Sequence, residues 1–237
     1  MNVRVVLSNT GQQLKTQGLF PALRSLFQRA HMRWNEWRLG IRTEGYIELS
    51  EFGIRNEECK HYSATSYADF SKIMRTLGID PREHVFLDYG AGMGRAMILA
   101  ATYPFKRVLG VDIVPELTAI AEENLARCRP KLVCQDIGIT TGDATLYEIP
   151  LDVTLFYIAN PFNGQVLAAV LANIRSFAAA ASRPVLVVCN VPERSAFEDQ
   201  IRTHPWLELK RELALQNARR CLVFTAGAPT QASAAAR

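Results

Sequence analysis

The sequence predicts an α/β fold in which a mainly parallel sheet carries helices on both faces. Apolar, strand-like runs alternate with helical stretches from residue 85 onward, and a glycine-rich loop joins the first of these strands directly to a helix. Alternation of this kind builds βαβ units, whose strands are parallel and buried on both faces. With 237 residues, the chain is long enough for one such domain and an appendage.

The elements follow from hydrophobic periodicity. The strand-like runs are Val85–Asp88, Val108–Val111, Ile137–Thr140, Val153–Ile158, Val185–Cys189, Leu207–Leu213 and Cys221–Thr225. Helices are predicted between them, at 94–103, 115–128, 164–180 and 194–203. Only a short connection around Gln216-Asn217 separates the last two strands, which predicts an antiparallel hairpin at the sheet edge.

The segment before these strands is predicted to be a basic helical extension. Residues 20–38 place apolar side chains at helical spacing, and residues 1–43 hold seven Lys or Arg residues and one acid, a net charge of +6. The basic face suits packing over the rest of the chain with its charges in solvent. Contact with nucleic acid, an acidic protein or an anionic membrane surface are further alternatives, which the sequence leaves open.

The remaining segments complete the predicted organisation. Residues 41–65 are mixed in character with a short strand near Tyr46–Leu49, and a helix follows at 67–77. We therefore expect a helical extension over 1–60, one domain over 61–225 and a disordered tail over 226–237.

Composition excludes several classes of protein. The five cysteines form no CxxC pair and the four histidines show no metal-binding spacing, so neither a disulfide framework nor a metal site is predicted. No secretory signal and no run of about 18 apolar residues is present. These features predict a reduced, cytoplasmic, metal-free protein and do not determine its oligomeric state.

The glycine-rich loop is the first candidate binding motif. The strand at Val85 ends in Asp88 and continues into Gly90-Ala91-Gly92-Met93-Gly94 before a helix. A dinucleotide loop starting at Gly90 would place its third glycine at position 95, where this chain has Arg95. An acid directly before the loop suits a ligand that carries an ammonium group.

Two further acids end the next two predicted strands. Asp112 lies 22 residues after Gly90, where a carboxylate can accept both ribose hydroxyls of an adenosine. Asp143, in Gly142-Asp143-Ala144, can accept the exocyclic amine of an adenine. A helix N-cap is the alternative for Asp112, and a plain turn is the alternative for Gly142-Asp143.

In these motifs, residues 84–164 resemble the class I S-adenosylmethionine-dependent methyltransferases. The resemblance implies a Rossmann-like, seven-stranded sheet with the last strand antiparallel, and S-adenosylmethionine as cofactor. The residues that it implies for cofactor binding are Asp88, Gly90, Ala91, Gly92, Gly94, Asp112, Ile113, Asp143 and Ala144.

The fourth predicted strand is followed by Asn160-Pro161-Phe162. This turn resembles the (Asn/Asp)-Pro-Pro-aromatic loop of amino-group methyltransferases, although it lacks the second proline. An Asn oxygen can accept hydrogen bonds from an amine, and an aromatic ring can stabilise the developing positive charge. The resemblance implies catalytic roles for these three residues, and a simple strand-ending Asn-Pro turn is the alternative.

A second resemblance covers more of the chain. His61–Tyr67, the helix after it, the glycine loop and the Asn160 turn follow the same order as in histone lysine methyltransferases of the disruptor-of-telomeric-silencing type. It implies that Thr65 contacts the methionine end of the cofactor, that Tyr62 lines the acceptor channel, and that Asn160 lies by the methyl group. The chain is also similar to uncharacterised bacterial methyltransferases in Gly40–Tyr46 and in the Asn160-Pro161-Phe162 turn, which implies a bacterial source but no substrate.

The expected function is methyl transfer from S-adenosylmethionine to an acceptor nitrogen, first of all a protein lysine or similar amine. A nucleic-acid or small-molecule methyltransferase, a non-catalytic cofactor-binding protein and a dehydrogenase are the alternatives. No nucleic-acid-binding module is apparent in the sequence, and the acceptor partner is left open.

Overall fold

The computed structural model describes residues 19–181 and 183–227, with only the backbone described for 19–25. The chain divides into two compact units between Ile41 and Arg42. Residues 42–60, which were expected in the extension, therefore belong to the larger unit. Ala226, expected in the tail, is a buried strand residue, and the rest of the expected tail from residue 228 lies outside the described residues.

The smaller unit contains helix α1, Leu19–Leu39, as predicted. Gly40 ends the helix in the left-handed conformation, with φ of 78°. The backbone N–H groups of Gly40 and Ile41 both donate to the carbonyl of Glu36, at 2.7 and 3.0 Å. This pattern satisfies carbonyl groups that would otherwise be left without partners at the end of a helix.

The larger unit contains the remaining elements. Its strands are β1 Tyr46–Ile47, β2 Tyr62–Ser63, β3 Val85–Tyr89, β4 Arg107–Asp112, β5 Ile137–Thr141, β6 Leu155–Ile158, β7 Val185–Pro192, β8 Glu208–Ala214 and β9 Arg219–Ala226. Its helices are α2 Tyr67–Leu77, α3 Arg95–Ala101, α4 Pro115–Cys128, α5 Gly164–Ala180 and α6 Ala196–Arg202.

Seven strands form one sheet in the order β5-β4-β3-β6-β7-β9-β8. The pairs from β5 to β7 are parallel, whereas β9 pairs antiparallel with both β7 and β8. The predicted mainly parallel sheet and its edge hairpin are thus confirmed. Strands β3 and β6 are buried along their whole length, because a parallel sheet with helical crossovers is covered on both faces.

The two short strands β1 and β2 form a separate antiparallel pair, which joins Ile47 to Tyr62. Strand β1 confirms the short strand expected near Tyr46–Leu49, although the strand ends at Ile47. The chain then forms a 3₁₀ turn that begins at Leu49. Strand β6 begins at Leu155 and not at Val153, because the N–H of Val153 closes a turn onto the carbonyl of Pro150 at 3.0 Å.

The topology brings several chain segments to one edge of the sheet. Parallel strands β3 to β7 all end there, and antiparallel β9 begins there, since Arg219 pairs with Pro192 at the end of β7. Loops at the carboxyl ends of such strands are where open α/β sheets bind ligands. Among the described residues, no helix combines the length and apolar character needed to cross a bilayer.

Candidate active site

A cavity of about 340 Å³ opens at the carboxyl edge of the sheet. Asp88 is the last but one residue of β3, Asp112 ends β4 and Asp143 follows β5, so the three acids follow the order of the strands along this edge. Twelve of the site residues expected from the sequence line the cavity: Tyr62, Thr65, Asp88, Gly90, Ala91, Asp112, Ile113, Asp143, Ala144, Asn160, Pro161 and Phe162.

The other two expected site residues, Gly92 and Gly94, do not line the cavity. A Cβ at Gly92, where φ is 53°, would lie 2.4 Å from ring carbons of Tyr62. A Cβ at Gly94 would lie 3.1 Å from Cβ of Ala121 in α4. These glycines therefore allow protein groups to pack against the loop, and their expected contact with the cofactor stays a prediction.

Gly90 connects the glycine loop to the Asn160 turn. Its φ is 75°, and a Cβ would lie 2.2 Å from Cβ of Pro161, a distance that no real side chain tolerates. Only glycine fits here, because both the backbone conformation and the neighbouring proline exclude a side chain. The two loops that line the cavity are therefore in direct contact.

Asp112 links β4 to the glycine loop. Its Oδ2 accepts the N–H of Gly92 at 2.7 Å, and its Oδ1 accepts the N–H of Val114 at 2.9 Å. Burial raises the pKa of Asp112, and the backbone N–H donors oppose that shift. The N-cap of α4 is Val114, so the N-cap alternative for Asp112 does not hold.

Asp88 is the most deeply buried of the three acids, at 1% exposure. Its Oδ2 has no hydrogen-bond partner among the described residues. Burial, and secondarily the nearby carboxylate of Asp112, holds the pKa of Asp88 well above its ordinary value. A buried carboxyl oxygen without a partner is costly, and a cationic ligand group in the cavity would compensate it.

Asp143 is exposed and forms a local turn. Its Oδ1 accepts both the N–H and the hydroxyl of Thr145, each at 2.8 Å. The turn expected as the alternative for Gly142-Asp143 is therefore present, and the same carboxylate also lines the cavity.

The Asn160 turn forms the neighbouring part of the cavity wall. Asn160 has a positive φ of 61°, which is uncommon for a residue other than glycine. The carbonyl of Pro161 accepts the N–H of Lys60 at 2.8 Å, and Phe162 forms an isolated bridge with Cys59. A strand-ending turn is thus present, and the segment before β2 holds it beside the cavity.

Tyr62 lines the cavity, and its hydroxyl donates to the carbonyl of Thr43 at 2.7 Å. Thr65 is buried, and its Oγ1 lies 3.4 Å from the hydroxyl of Tyr157. The structure therefore brings both residues to the cavity, with the Tyr62 hydroxyl engaged by the protein backbone.

Comparison with solved structures finds the same fold in many proteins. An RNA methyltransferase from Salinibacter ruber, solved with S-adenosyl-L-homocysteine, matches with a TM-score of 0.54 and 18% identity over 71% of this chain and 96% of its own. A SAM-dependent O-methyltransferase from Thermotoga maritima matches with a TM-score of 0.56 and 13% identity, over 72% and 69%.

A phosphoethanolamine N-methyltransferase from Haemonchus contortus matches with a TM-score of 0.54 and 13% identity, over 69% of this chain and 43% of its own. No protein-family model matches the sequence, and no curated protein matches it either. The chain has the class I methyltransferase fold.

One further residue of the cavity wall was not among the site residues expected from the sequence. Arg95, the first residue of α3, is 3% exposed and lines the cavity. Its Nε donates to Oγ1 of Thr43 at 2.6 Å, its Nη1 lies 3.4 Å from the carbonyl of Thr65, and its guanidinium lies over the ring of Tyr67. We refer to Thr43, Thr65, Tyr67 and Arg95 as the Arg95 cluster.

Asn124 of α4 supports the same segment. Its Oδ1 accepts the N–H of Arg42 at 2.9 Å, and its Nδ2 donates to the carbonyls of Arg42 and Met93 at 2.9 and 3.1 Å. The segment before α2 is thus tied to the glycine loop by buried hydrogen bonds. In the sequence, the only feature that pointed to this connection was Arg95, which stands directly after Gly94.

Removing the Asp88 charge should stabilise the unliganded protein. A carboxyl whose pKa is raised on folding binds protons more tightly in the folded state, so its contribution to stability falls as pH rises from its unfolded pKa towards its folded pKa. Asp88→Asn should therefore gain stability relative to the wild type with rising pH, measured by urea unfolding. The exposed Asp136→Asn is the control, and an equal pH response in both variants would contradict the account.

Arg95→Met should destabilise the fold by about 2–4 kcal/mol, because hydrogen bonds from a charged donor contribute about 1.5–3 kcal/mol each. Urea unfolding measures the change. Arg127→Met, which removes an exposed ion pair with Glu123, is the matched control and should cost less than about 1 kcal/mol. Similar losses in the two variants would show that the Arg95 cluster does not stabilise the segment.

Proposed function

We propose that this chain binds S-adenosylmethionine and transfers its methyl group to an amine nitrogen, with a protein lysine side chain as the first candidate. The observation that carries the proposal is Asp88, a buried carboxyl with an unsatisfied oxygen, in a cavity that Asp112 and Asp143 also line. One cationic group and a set of hydrogen-bond donors in a single ligand would satisfy this arrangement.

The residues present fit the cofactor. The ammonium group of its methionine portion would pair with Asp88, because one oxygen of this buried carboxyl has no hydrogen-bond partner among the described residues. The ribose hydroxyls would donate to Asp112, whose oxygens each accept one N–H and can accept more. Asp143 would accept the adenine amine, with the exposed side chain of Ile113 as an apolar neighbour. When bound, the cofactor supplies an electrophilic methyl group on a sulfonium.

The Asn160 turn would hold the acceptor. The amide oxygen of Asn160 can accept hydrogen bonds from an amine, which directs the nitrogen lone pair towards the cofactor. Phe162, 5% exposed, offers an aromatic ring for the positive charge that develops on nitrogen. Alignment of two reactants can contribute about 7–11 kcal/mol to catalysis, so a pocket that orients and desolvates the amine has a sufficient means of acceleration.

Calorimetry with S-adenosylhomocysteine and NAD tests the cofactor. We expect the wild type to bind S-adenosylhomocysteine and not NAD. Asp112→Ala should weaken binding on the order of ten- to a hundredfold, because hydrogen bonds to a charged acceptor contribute about 1.5–3 kcal/mol. Asp136 precedes β5 at the opposite edge of the sheet, so Asp136→Ala should bind like the wild type. Preferential binding of NAD would refute the proposal.

Asn160→Gly should reduce methyl transfer on the order of a hundredfold or more while leaving the affinity for S-adenosylhomocysteine within several-fold of the wild type. Glycine keeps the positive φ of position 160 without strain, so the change removes the Asn160 side chain and its amide while the turn conformation is retained. The measurement is incorporation of label from radiolabelled S-adenosylmethionine into a bacterial lysate, separated into protein, RNA and metabolites.

Label in the protein fraction that depends on Asn160 would support lysine as the acceptor. Label in RNA or metabolites would replace lysine with that acceptor class. Cofactor binding with no label in any fraction would leave a cofactor-binding protein without transfer.

A further inference from the structure

The cavity continues beyond the Asn160 turn to Arg219, the first residue of β9. Because β9 runs antiparallel to β7, its first residue lies at the carboxyl edge, opposite Pro192. In strand order, the three acids occupy one side of the Asn160 turn and Arg219 the other. The ammonium, ribose hydroxyls and adenine amine assigned above pair with the three acids and leave Arg219 without an assigned partner.

A buried hydrogen-bond chain fixes the orientation of Arg219. Its Nε donates to Oδ1 of Asn190 at 2.9 Å, and its Nη2 donates to the carbonyl of Asn190 at 2.7 Å. Nδ2 of Asn190 donates in turn to the hydroxyl of Tyr157 at 3.2 Å, and Tyr157 and Asn190 are 1% and 2% exposed. Two of the five N–H groups of the guanidinium are used in this way, which leaves three for a ligand.

The charge of Arg219 forms no direct ion pair within the part of the chain that the structure describes. Among the described residues, no carboxylate oxygen lies within 4.0 Å of its nitrogens. Asp69 also lines the cavity, but its Oδ1 accepts the N–H of Gln216 at 3.1 Å. Burial is the largest influence on Arg219 and lowers its pKa. The electrostatic effects of Tyr157 and Asp69 raise the pKa and offset only part of that shift. A partly buried guanidinium of this kind is best compensated by an anion.

We propose that Arg219 binds an anionic group, a carboxylate or a phosphate, on the methyl acceptor. The inference rests on the proposed methyl transfer and names a chemical feature of its acceptor. Strands β6 and β9 are two strand spacings apart in the sheet, about 10 Å. The inferred acceptor is therefore an amine with an anionic group on the Arg219 side of the methylated nitrogen, which for a protein lysine means an acidic or phosphorylated neighbouring side chain.

Thermal unfolding of the protein saturated with S-adenosylhomocysteine tests the site, with sodium phosphate, sodium acetate or sodium chloride added at constant ionic strength. The unfolding midpoint of the wild type should rise with phosphate, acetate or both relative to chloride, and the effective anion distinguishes the two acceptor groups. Arg219→Met should lose that rise, and Arg219→Lys should keep part of it. Arg82→Met, which removes a side chain that is 73% exposed, should respond like the wild type.

The midpoints without added anion show whether each variant is folded, and calorimetry shows whether it still binds S-adenosylhomocysteine. We expect Arg219→Met to retain that binding within about threefold, since the residue lies beyond the Asn160 turn. No rise in the wild type, or an equal rise in Arg219→Met, would overturn the anion site while leaving the proposed cofactor binding intact. Failure of the wild type to bind S-adenosylhomocysteine would instead remove the proposed function.

Discussion

The burial of the Asp88 carboxyl is the interaction on which the rest of the cavity depends. A carboxyl that is 1% exposed, with one oxygen unsatisfied and a second carboxylate nearby, costs stability in the unliganded protein. An apolar residue at this position of the buried strand β3 would avoid the cost, but the chain has an aspartate there. Such local conflicts between stability and side-chain choice are expected at functional sites.

Two sets of contacts hold the loops that surround Asp88 in the cavity. On one side, the Arg95 cluster and Asn124 tie residues 42–66 to the glycine loop, and Tyr62 packs on Gly92. On the other side, the backbone of Lys60 holds the Asn160 turn through Pro161. One irregular segment therefore contacts both loops, which explains why residues 42–60 belong to the larger unit.

The fold was largely predictable because the apolar runs of a parallel sheet are long, buried and regularly spaced. The positions of the three acids at strand ends followed from the same pattern. The roles of Gly92 and Gly94 were not predictable in this way, because the groups that exclude a Cβ, Tyr62 and Ala121, come from distant parts of the chain. Arg95 and Arg219 have partners 52 and 29 residues away, so no local spacing identifies them.

Proton exchange on ligand binding tests the central claim most directly. Titration of the protein with S-adenosylhomocysteine, in buffers of different ionisation enthalpy, measures the protons released or taken up. A cationic group next to Asp88 lowers its raised pKa, so we predict proton release by the wild type at pH values between the ordinary pKa of an aspartate and the raised pKa of Asp88, and none by Asp88→Asn. Binding without proton release by the wild type, or with equal release by both proteins, would contradict it.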